Sequence, residues 1–187
     1  RHLGYHVRDW GMGRNNGRVA ADVERFAAQA AEWVRAGGAP LTLIGWSLGG
    51  VYAREIAKEV PDAVRSVITL GTPFAQSPRA TNAWRVYSML SGETLPDELM
   101  LHKLTAPPPV PFTSLYSKTD GVVAWPASIQ KQPHDHPHGI ENIEVFASHL
   151  GIGANPAAWY AIADRLAQKH GEWAPFVPPL GARFLYG

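Results

Sequence analysis

The chain contains no cysteine, so it forms no disulfide and has neither a thiol nucleophile nor a thiolate metal ligand. It also lacks a strong charge of either sign, since 17 Lys and Arg against 16 Asp and Glu give a formal net charge of +1. No apolar run approaches the roughly 20 residues that a transmembrane helix needs. The composition thus argues against thiol chemistry, against a nucleic-acid or anionic-membrane partner and against a transmembrane segment.

Length and composition are those of one domain over residues 1–187, because 45% hydrophobic residues are ample for a single core. The first residue is Arg1, which removal of an initiator Met does not normally expose, so we expect a processed chain or a fragment and favour a fragment. Nothing near Arg1 resembles a signal peptide, which leaves export undecided and slightly favours the cytoplasm.

A Gly-x-Ser-x-Gly pattern lies at Gly45 to Gly49, directly after the apolar run Leu41–Ile44. A strand, a tight turn and a helix in this order are typical of a nucleophile elbow. In such an elbow the turn strains the backbone of the serine, here Ser47, and exposes its hydroxyl. We expect positions 45 and 49 to require a residue as small as glycine, because the strand and the helix approach each other closely there. The alternative is a Gly-rich turn without chemistry.

Strand-like and helix-like segments alternate along the chain, which predicts an α/β fold with a mostly parallel sheet flanked by helices. The stretch 75–111 breaks this alternation, and we interpret it as a small cap over the site or, with equal weight, as an ordinary crossover helix. The predicted helices are Arg18–Ala36, one following Ser47, and one capped by Asn155 with Pro156 at its first position. The predicted strands are Leu3–Trp10, Leu41–Ile44, Val64–Leu70, Phe112–Tyr116 and Ile140–Ala147.

Three groups with complementary chemistry follow predicted strands in the order Ser47, Asp120, His149. A serine hydroxyl is a weak nucleophile at neutral pH, so an imidazole must take its proton, and a carboxylate must orient that imidazole. Because the carboxyl ends of parallel strands share one edge of a sheet, these residues can converge there. We therefore predict a Ser-Asp-His site.

Residues of the predicted Ser-Asp-His site also have interpretations that involve no catalysis. Asp120 precedes a glycine in a turn, where Asp is common for backbone reasons alone, and His149 could be a histidine with no catalytic task. The stretch His134–His138 is rich in histidine and resembles a metal site, but its prolines and the lack of a second ligand cluster favour a solvated loop. We predict no metal and no organic cofactor.

The tetrahedral intermediate of acyl transfer needs two hydrogen-bond donors for its oxyanion. One should be the backbone N–H of Leu48, the residue after the serine, aided by the positive end of the following helix. The second usually comes from a loop after an earlier strand, and the sequence between Arg1 and Leu41 offers no candidate.

At these residues the chain resembles the α/β-hydrolase superfamily, and within it the lipase and esterase branch of bacterial hydrolases. The matching stretches are LGYHV with the following GMGRN, IGWSLGG, ITLGTPF, YSKTDGVV, and ENIEV followed by SHLGIGANP, spread over nearly the whole chain. The resemblance implies that Ser47 is the nucleophile, Asp120 the acid and His149 the base, with Leu48 as an oxyanion donor.

By the same resemblance Leu3–Trp10 matches the family's fourth strand. The first three strands and the oxyanion loop after the third are then missing, and we expect the gene to extend upstream and supply them. The loss of a middle strand leaves unpaired edges inside the sheet.

These observations favour a serine hydrolase that cleaves small carboxylic esters through an acyl-enzyme on Ser47. Trp46 beside the nucleophile and the aromatic and Met-rich stretch 75–111 favour an apolar acyl group. The same residues could serve a thioesterase or an acyltransferase. A different class is a non-catalytic α/β-hydrolase fold that binds a ligand or partner.

Overall fold

A computed structural model describes residues 4–11, 19–75 and 104–187. In these residues the helices are α1 (Val19–Arg35), α2 (Leu48–Glu59) and α3 (Pro156–Ala167). The strands are β1 (Leu41–Trp46), β2 (Val64–Leu70), β3 (Phe112–Tyr116) and β4 (Ile140–Glu144). Most of the predicted cap, residues 76–103, lies outside the described part of the chain.

The four strands form one parallel sheet in the order β1-β2-β3-β4. Sequential order and parallel direction require each connection to cross back over the sheet, and α2 provides the first crossover, between β1 and β2. All four strands therefore end at the same edge. This confirms the predicted α/β sheet flanked by helices.

Two apolar layers hold the helices to the sheet, and neighbouring residues of the inner strands face opposite layers. Val67 and Phe112 belong to the layer that includes α2, whereas Ile68 and Leu115 belong to the layer that includes α3. All four are at most 1% exposed. A strand covered on both faces carries apolar residues on both, as the neighbours Val67 and Ile68 of β2 show.

The helix boundaries follow local sequence signals. Helix α1 is followed by Gly37, whose φ of 87° suits glycine and ends the helix. Helix α3 begins after Asn155, whose side chain accepts hydrogen bonds from the backbone N–H groups of Ala157 and Ala158 at 2.8 and 3.2 Å. None of the helices in the described ranges is long and apolar enough to cross a membrane.

The predicted strand Leu3–Trp10 is wrong for residues 4–10, which form no strand. An alternating sequence becomes a strand only where a neighbour completes its ladder, and these residues join no sheet in the described structure. Side chains hold the segment instead: the Trp10 ring packs edge-on against Tyr52, and the Arg8 guanidinium lies 3.8 Å from the Trp33 ring.

Two other strand boundaries differ from the prediction. Strand β1 continues two residues beyond Ile44, and β4 ends at Glu144 rather than at Ala147. Past this end, Val145 forms an antiparallel bridge with Tyr186 of the C-terminal tail, which lies against the sheet. The tail therefore packs on the domain.

A buried arginine on α2 joins segments that are distant in sequence. Arg54 is 0% exposed and donates from Nη2 to the carbonyl oxygens of Leu104 and Ala106 at 3.2 and 2.9 Å. The same nitrogen is 2.9 Å from Oε1 of Gln130. Burial lowers the pKa of Arg54 to about 9, against the opposing effect of Glu55, so the group stays charged at neutral pH.

Two aromatic rings stack on this guanidinium. Its central carbon lies 3.8 Å from the ring centre of Phe74 and 4.7 Å from that of Phe112. Within the described residues its Nε and Nη1 have no hydrogen-bond partner, so much of its stabilisation comes from the rings. Arg54 thus holds Phe74 and Leu104, which flank residues 75–103, against the core.

We expect Arg54→Lys to lower the free energy of unfolding by about 3 kcal/mol, and Arg54→Met to lower it by less. Lysine keeps the buried charge but has no planar group to stack between two rings and reach three acceptors. Methionine fills the volume and removes the cost of burying a charge. Urea unfolding of the three proteins measures both values. A loss in Arg54→Met as large as that in Arg54→Lys contradicts this account.

Candidate active site

Ser47 occupies the turn between β1 and α2 in a strained backbone conformation. Its φ and ψ are 52° and −126°, and among the described residues it is the one non-glycine residue with positive φ. Its N–H donates to the carbonyl of Leu70 at 2.9 Å, and its own carbonyl accepts from Gly50 N at 3.0 Å. These bonds hold the strained turn between the sheet and the helix.

Close contacts at the turn, one with backbone and one with a side chain, favour glycine at two positions. A Cβ added to Gly45 would lie 2.3 Å from the carbonyl oxygen of Gly49, and one added to Gly50 would lie 2.0 Å from Oγ1 of Thr72. No described atom lies within 4 Å of a Cβ added to Gly49, so the prediction that Gly49 must itself be small is wrong. The backbone of Gly49, rather than its missing side chain, makes the contact.

The structure brings Ser47, His149 and Asp120 into one hydrogen-bonded chain. The distance from Ser47 Oγ to His149 Nε2 is 3.0 Å, and that from His149 Nδ1 to Asp120 Oδ2 is 2.7 Å. A carboxylate only accepts, so Nδ1 carries the proton of a neutral imidazole and Nε2 is free to accept from the hydroxyl. Both Ser47 and His149 are 7% exposed.

Asp120 is oriented by the turn that it begins. Its Oδ1 accepts the backbone N–H groups of Val122 and Val123, each at 2.8 Å, which leaves Oδ2 directed to His149. Burial raises the pKa of Asp120, but the hydrogen bonds from His149 and these two amides outweigh burial and hold the pKa below its ordinary value. Asp120 therefore stabilises its own turn with one carboxylate oxygen and contacts His149 with the other.

Two hydroxyl groups before Asp120 hold the loop that carries His149. Ser117 Oγ accepts from Ala147 N at 3.1 Å, and Thr119 Oγ1 donates to Ala147 O at 3.0 Å. Sequence reasoning missed both residues. Their only signal was the position of short hydroxyl side chains between a strand end and a candidate carboxylate.

Gly71 lies beneath the contact between Asp120 and His149. Its φ is 53°, and a Cβ there would lie 3.0 Å from Asp120 Oδ2 and 3.3 Å from His149 Nδ1. Both the backbone conformation and the space therefore favour glycine. The sequence analysis assigns Gly71 no role, although a glycine directly after the predicted strand Val64–Leu70 is a signal of close approach.

Leu48 is the first residue of α2, so its N–H has no acceptor within the helix and lies at the positive end of the helix dipole. This N–H belongs to the residue next to Ser47. The arrangement has the general form of an anion-binding helix N-terminus adjacent to a hydroxyl.

In the histidine-rich loop, both ring nitrogens of His136 lie within hydrogen-bond distance of backbone carbonyl oxygens. Nδ1 of His136 is 2.8 Å from the carbonyl oxygen of His138, and Nε2 is 3.0 Å from that of Pro108. No group of three or more His, Cys, Asp or Glu side chains that could hold a metal occurs in the ranges that the structure describes.

No protein-family model and no curated protein matches the chain. Solved structures do match, at low identity. An esterase from Pyrococcus furiosus covers 85% of this chain with a TM-score of 0.62 and 15% identity. Lipase B from Aspergillus fumigatus covers 81% with a TM-score of 0.62 and 19% identity. A proposed hydrolase of the α/β superfamily from Xanthomonas campestris covers 79% with a TM-score of 0.51 and 20% identity.

The matched proteins are longer than this chain. The chain spans 65% of the Pyrococcus esterase, 42% of the Aspergillus lipase and 68% of the Xanthomonas protein. At identities of 15–20% the likeness is one of fold, and it agrees with the parallel sheet and flanking helices. The chain has the α/β-hydrolase fold.

Proposed function

We propose that this chain is a serine hydrolase that cleaves carboxylic esters through an acyl-enzyme on Ser47. The observation that carries the proposal is the chain of hydrogen bonds from Ser47 Oγ through the His149 ring to Asp120 Oδ2. A histidine that contacts both a serine hydroxyl and a buried carboxylate can remove a proton from the first while the second stabilises its charge. The strained conformation of Ser47 supports the same role.

In the first half of the proposed reaction, Ser47 Oγ attacks the carbonyl carbon of the ester while His149 Nε2 takes the hydroxyl proton. The carbonyl oxygen becomes an oxyanion, for which the N–H of Leu48 is one proposed donor. When the tetrahedral intermediate collapses, the bond between carbon and the leaving oxygen breaks, and His149 gives its proton to that oxygen. The products are a free alcohol and an acyl group esterified to Ser47.

In the second half, a water molecule replaces the alcohol. His149 Nε2 takes a proton from the water as its oxygen attacks the acyl carbon, and then returns a proton to Ser47 Oγ as the acid leaves. Throughout, Asp120 holds the Nδ1–H tautomer and faces the imidazolium that forms in each half. Its lowered pKa keeps it anionic at neutral pH.

The proposed substrate is a small ester with an apolar acyl group. Trp46 directly precedes Ser47, and its side chain is 45% exposed, so an apolar surface is available beside the proposed nucleophile. Ester chemistry also fits the matched proteins, since one is named an esterase and another a lipase.

We expect a fluorophosphonate probe to label the protein at Ser47, and we expect Ser47→Ala to abolish labelling and to lower hydrolysis of p-nitrophenyl butyrate at least about a thousandfold. Labelling requires an activated hydroxyl, because an ordinary serine is too weak a nucleophile. The matched control is Ser66→Ala. The hydroxyl of Ser66 is hydrogen-bonded to that of Thr42, and Ser66 lies in β2 away from the carboxyl end of that strand. Gel fluorescence and mass spectrometry measure the label.

Labelling and hydrolysis that persist in Ser47→Ala contradict the proposed nucleophile. A folded parent protein that neither labels nor hydrolyses contradicts the enzyme proposal and favours a binding protein with this fold.

We expect Asp120→Asn to reduce labelling about a thousandfold or more, because an amide can donate to Nδ1 and select the wrong tautomer. The stability difference from the parent should also depend on pH. A carboxyl with a lowered pKa stabilises the fold above its unfolded-state pKa of about 3.9, and this contribution is lost as the pH falls through the lower folded-state pKa.

Urea unfolding at pH 5, 4 and 3 tests this dependence. The difference between parent and Asp120→Asn should shrink as the pH falls from 5 to 3, where the carboxylate takes up its proton. The exposed residue Asp62 supplies the control Asp62→Asn. A difference that grows from pH 5 to pH 3 disagrees with the expected sign.

We expect Gly71→Ala to lower the free energy of unfolding by about 1–3 kcal/mol, because the Cβ of alanine makes a positive φ sterically unfavourable. Its Cβ should also displace the Asp120 and His149 side chains, so labelling should fall even in the folded fraction. The control is Gly153→Ala, at a glycine with no described atom within 4 Å of an added Cβ. Equal labelling of folded Gly71→Ala and parent protein refutes the close-approach role.

A further inference from the structure

The indole of Trp46 is hydrogen-bonded to the backbone of the proposed base. Its Nε1 donates to the carbonyl oxygen of His149 at 3.0 Å, across 103 residues of sequence. Trp46 is the last residue of β1 and His149 follows β4, so the bond links the ends of the two outer strands of the described sheet. The strand that delivers Ser47 thus holds the loop that delivers His149.

This bond complements the other contacts of the same loop. Ser117 and Thr119 hold the loop at Ala147, two residues before His149, from the end of β3. Trp46 holds the carbonyl of His149 itself, from the end of β1. With the backbone fixed from two directions, the imidazole can keep its 3.0 Å distance to Ser47 Oγ.

The two rings also touch. The indole and imidazole ring centres are 5.5 Å apart at an interplanar angle of 39°, which is the distance of a packed, tilted aromatic pair. An aromatic face close to an imidazole restricts rotation of the ring and interacts favourably with its protonated form. Trp46 therefore restrains both the backbone and the ring of His149.

We propose that Trp46 is a positioning residue for His149. The proposal rests on the proposed function, because it concerns the alignment of the base with Ser47. Trp46 acts through His149 and contributes no proton transfer of its own. A residue of this kind affects the chemical steps more than substrate binding.

The test is Trp46→Phe, which keeps an aromatic ring and removes the N–H donor. We expect kcat for p-nitrophenyl butyrate and the rate of fluorophosphonate labelling to fall about tenfold, as for the loss of one hydrogen bond that aligns a base, with KM changed less than twofold. The matched control is Trp159→Phe, which removes a similar bond from an exposed indole to the carbonyl of Gly153. This control should change neither rate by more than twofold.

A double-mutant cycle identifies the residue through which Trp46 acts. In a His149→Ala background no imidazole remains to be aligned, so adding Trp46→Phe should change the residual rate of p-nitrophenyl butyrate hydrolysis above the uncatalysed rate by less than twofold. A further tenfold loss in that background overturns the proposal, because Trp46 then acts by another route. An unchanged kcat in Trp46→Phe alone overturns it as well.

Proton exchange tests the bond without a substitution, which matters if Trp46→Phe folds poorly. The Trp46 indole proton should exchange with solvent more slowly than that of Trp125, whose side chain is similarly exposed, at 40%. Equal exchange overturns the proposal. If the parent protein does not label at all, the proposed function fails; if the parent labels and Trp46→Phe matches it, only the role of Trp46 fails.

Discussion

The contact between the backbones of Gly45 and Gly49 is the constraint on which the site depends. A side chain on Gly45 would fall within 2.3 Å of the Gly49 carbonyl, so α2 could not begin where it does. With that contact, the chain reverses within one residue, and Ser47 takes up the strain of the turn. The same geometry places the N-terminus of α2 beside the hydroxyl, where its dipole favours negative charge.

The remaining parts of the site depend on the shared edge of the parallel sheet. Asp120 follows β3 and is held by the backbone of its own turn, whereas His149 follows β4 on a loop that is hydrogen-bonded to Ser117. Gly71, at the end of β2, leaves the space in which their side chains meet. Every strand thus contributes at its carboxyl end, and the function proposed for Ser47 uses all four contributions.

Sequence patterns predicted the elements that depend on local signals. The alternation of apolar segments gave β1 to β4 closely, and Asn155 with Pro156 located the start of α3. The residues that converge at the edge could also be predicted, since strand order and chemistry both limit the candidates.

Features that depend on distant partners could not be predicted in this way. Residues 4–10 have the alternation of a strand but no neighbouring strand in the described sheet, and pairing is not visible in a sequence. The apolar side chain of Trp46 suggested a substrate surface, whereas its hydrogen bond to His149 depends on a loop 103 residues away. Arg54 had the sequence position of an ordinary charged helix residue, yet it is fully buried.

The position of Arg54 has a consequence for how this fold can vary. Phe74 stacks on the guanidinium, and the carbonyl oxygen of Leu104 accepts a hydrogen bond from it. The two residues that flank the stretch 75–103 are therefore both held by the side chain of Arg54. One side chain therefore fixes both ends of the stretch between them, whatever the length of that stretch. Because the entropic cost of joining two fixed ends rises only slowly with the number of residues between them, insertions and deletions between Phe74 and Leu104 need not alter the sheet.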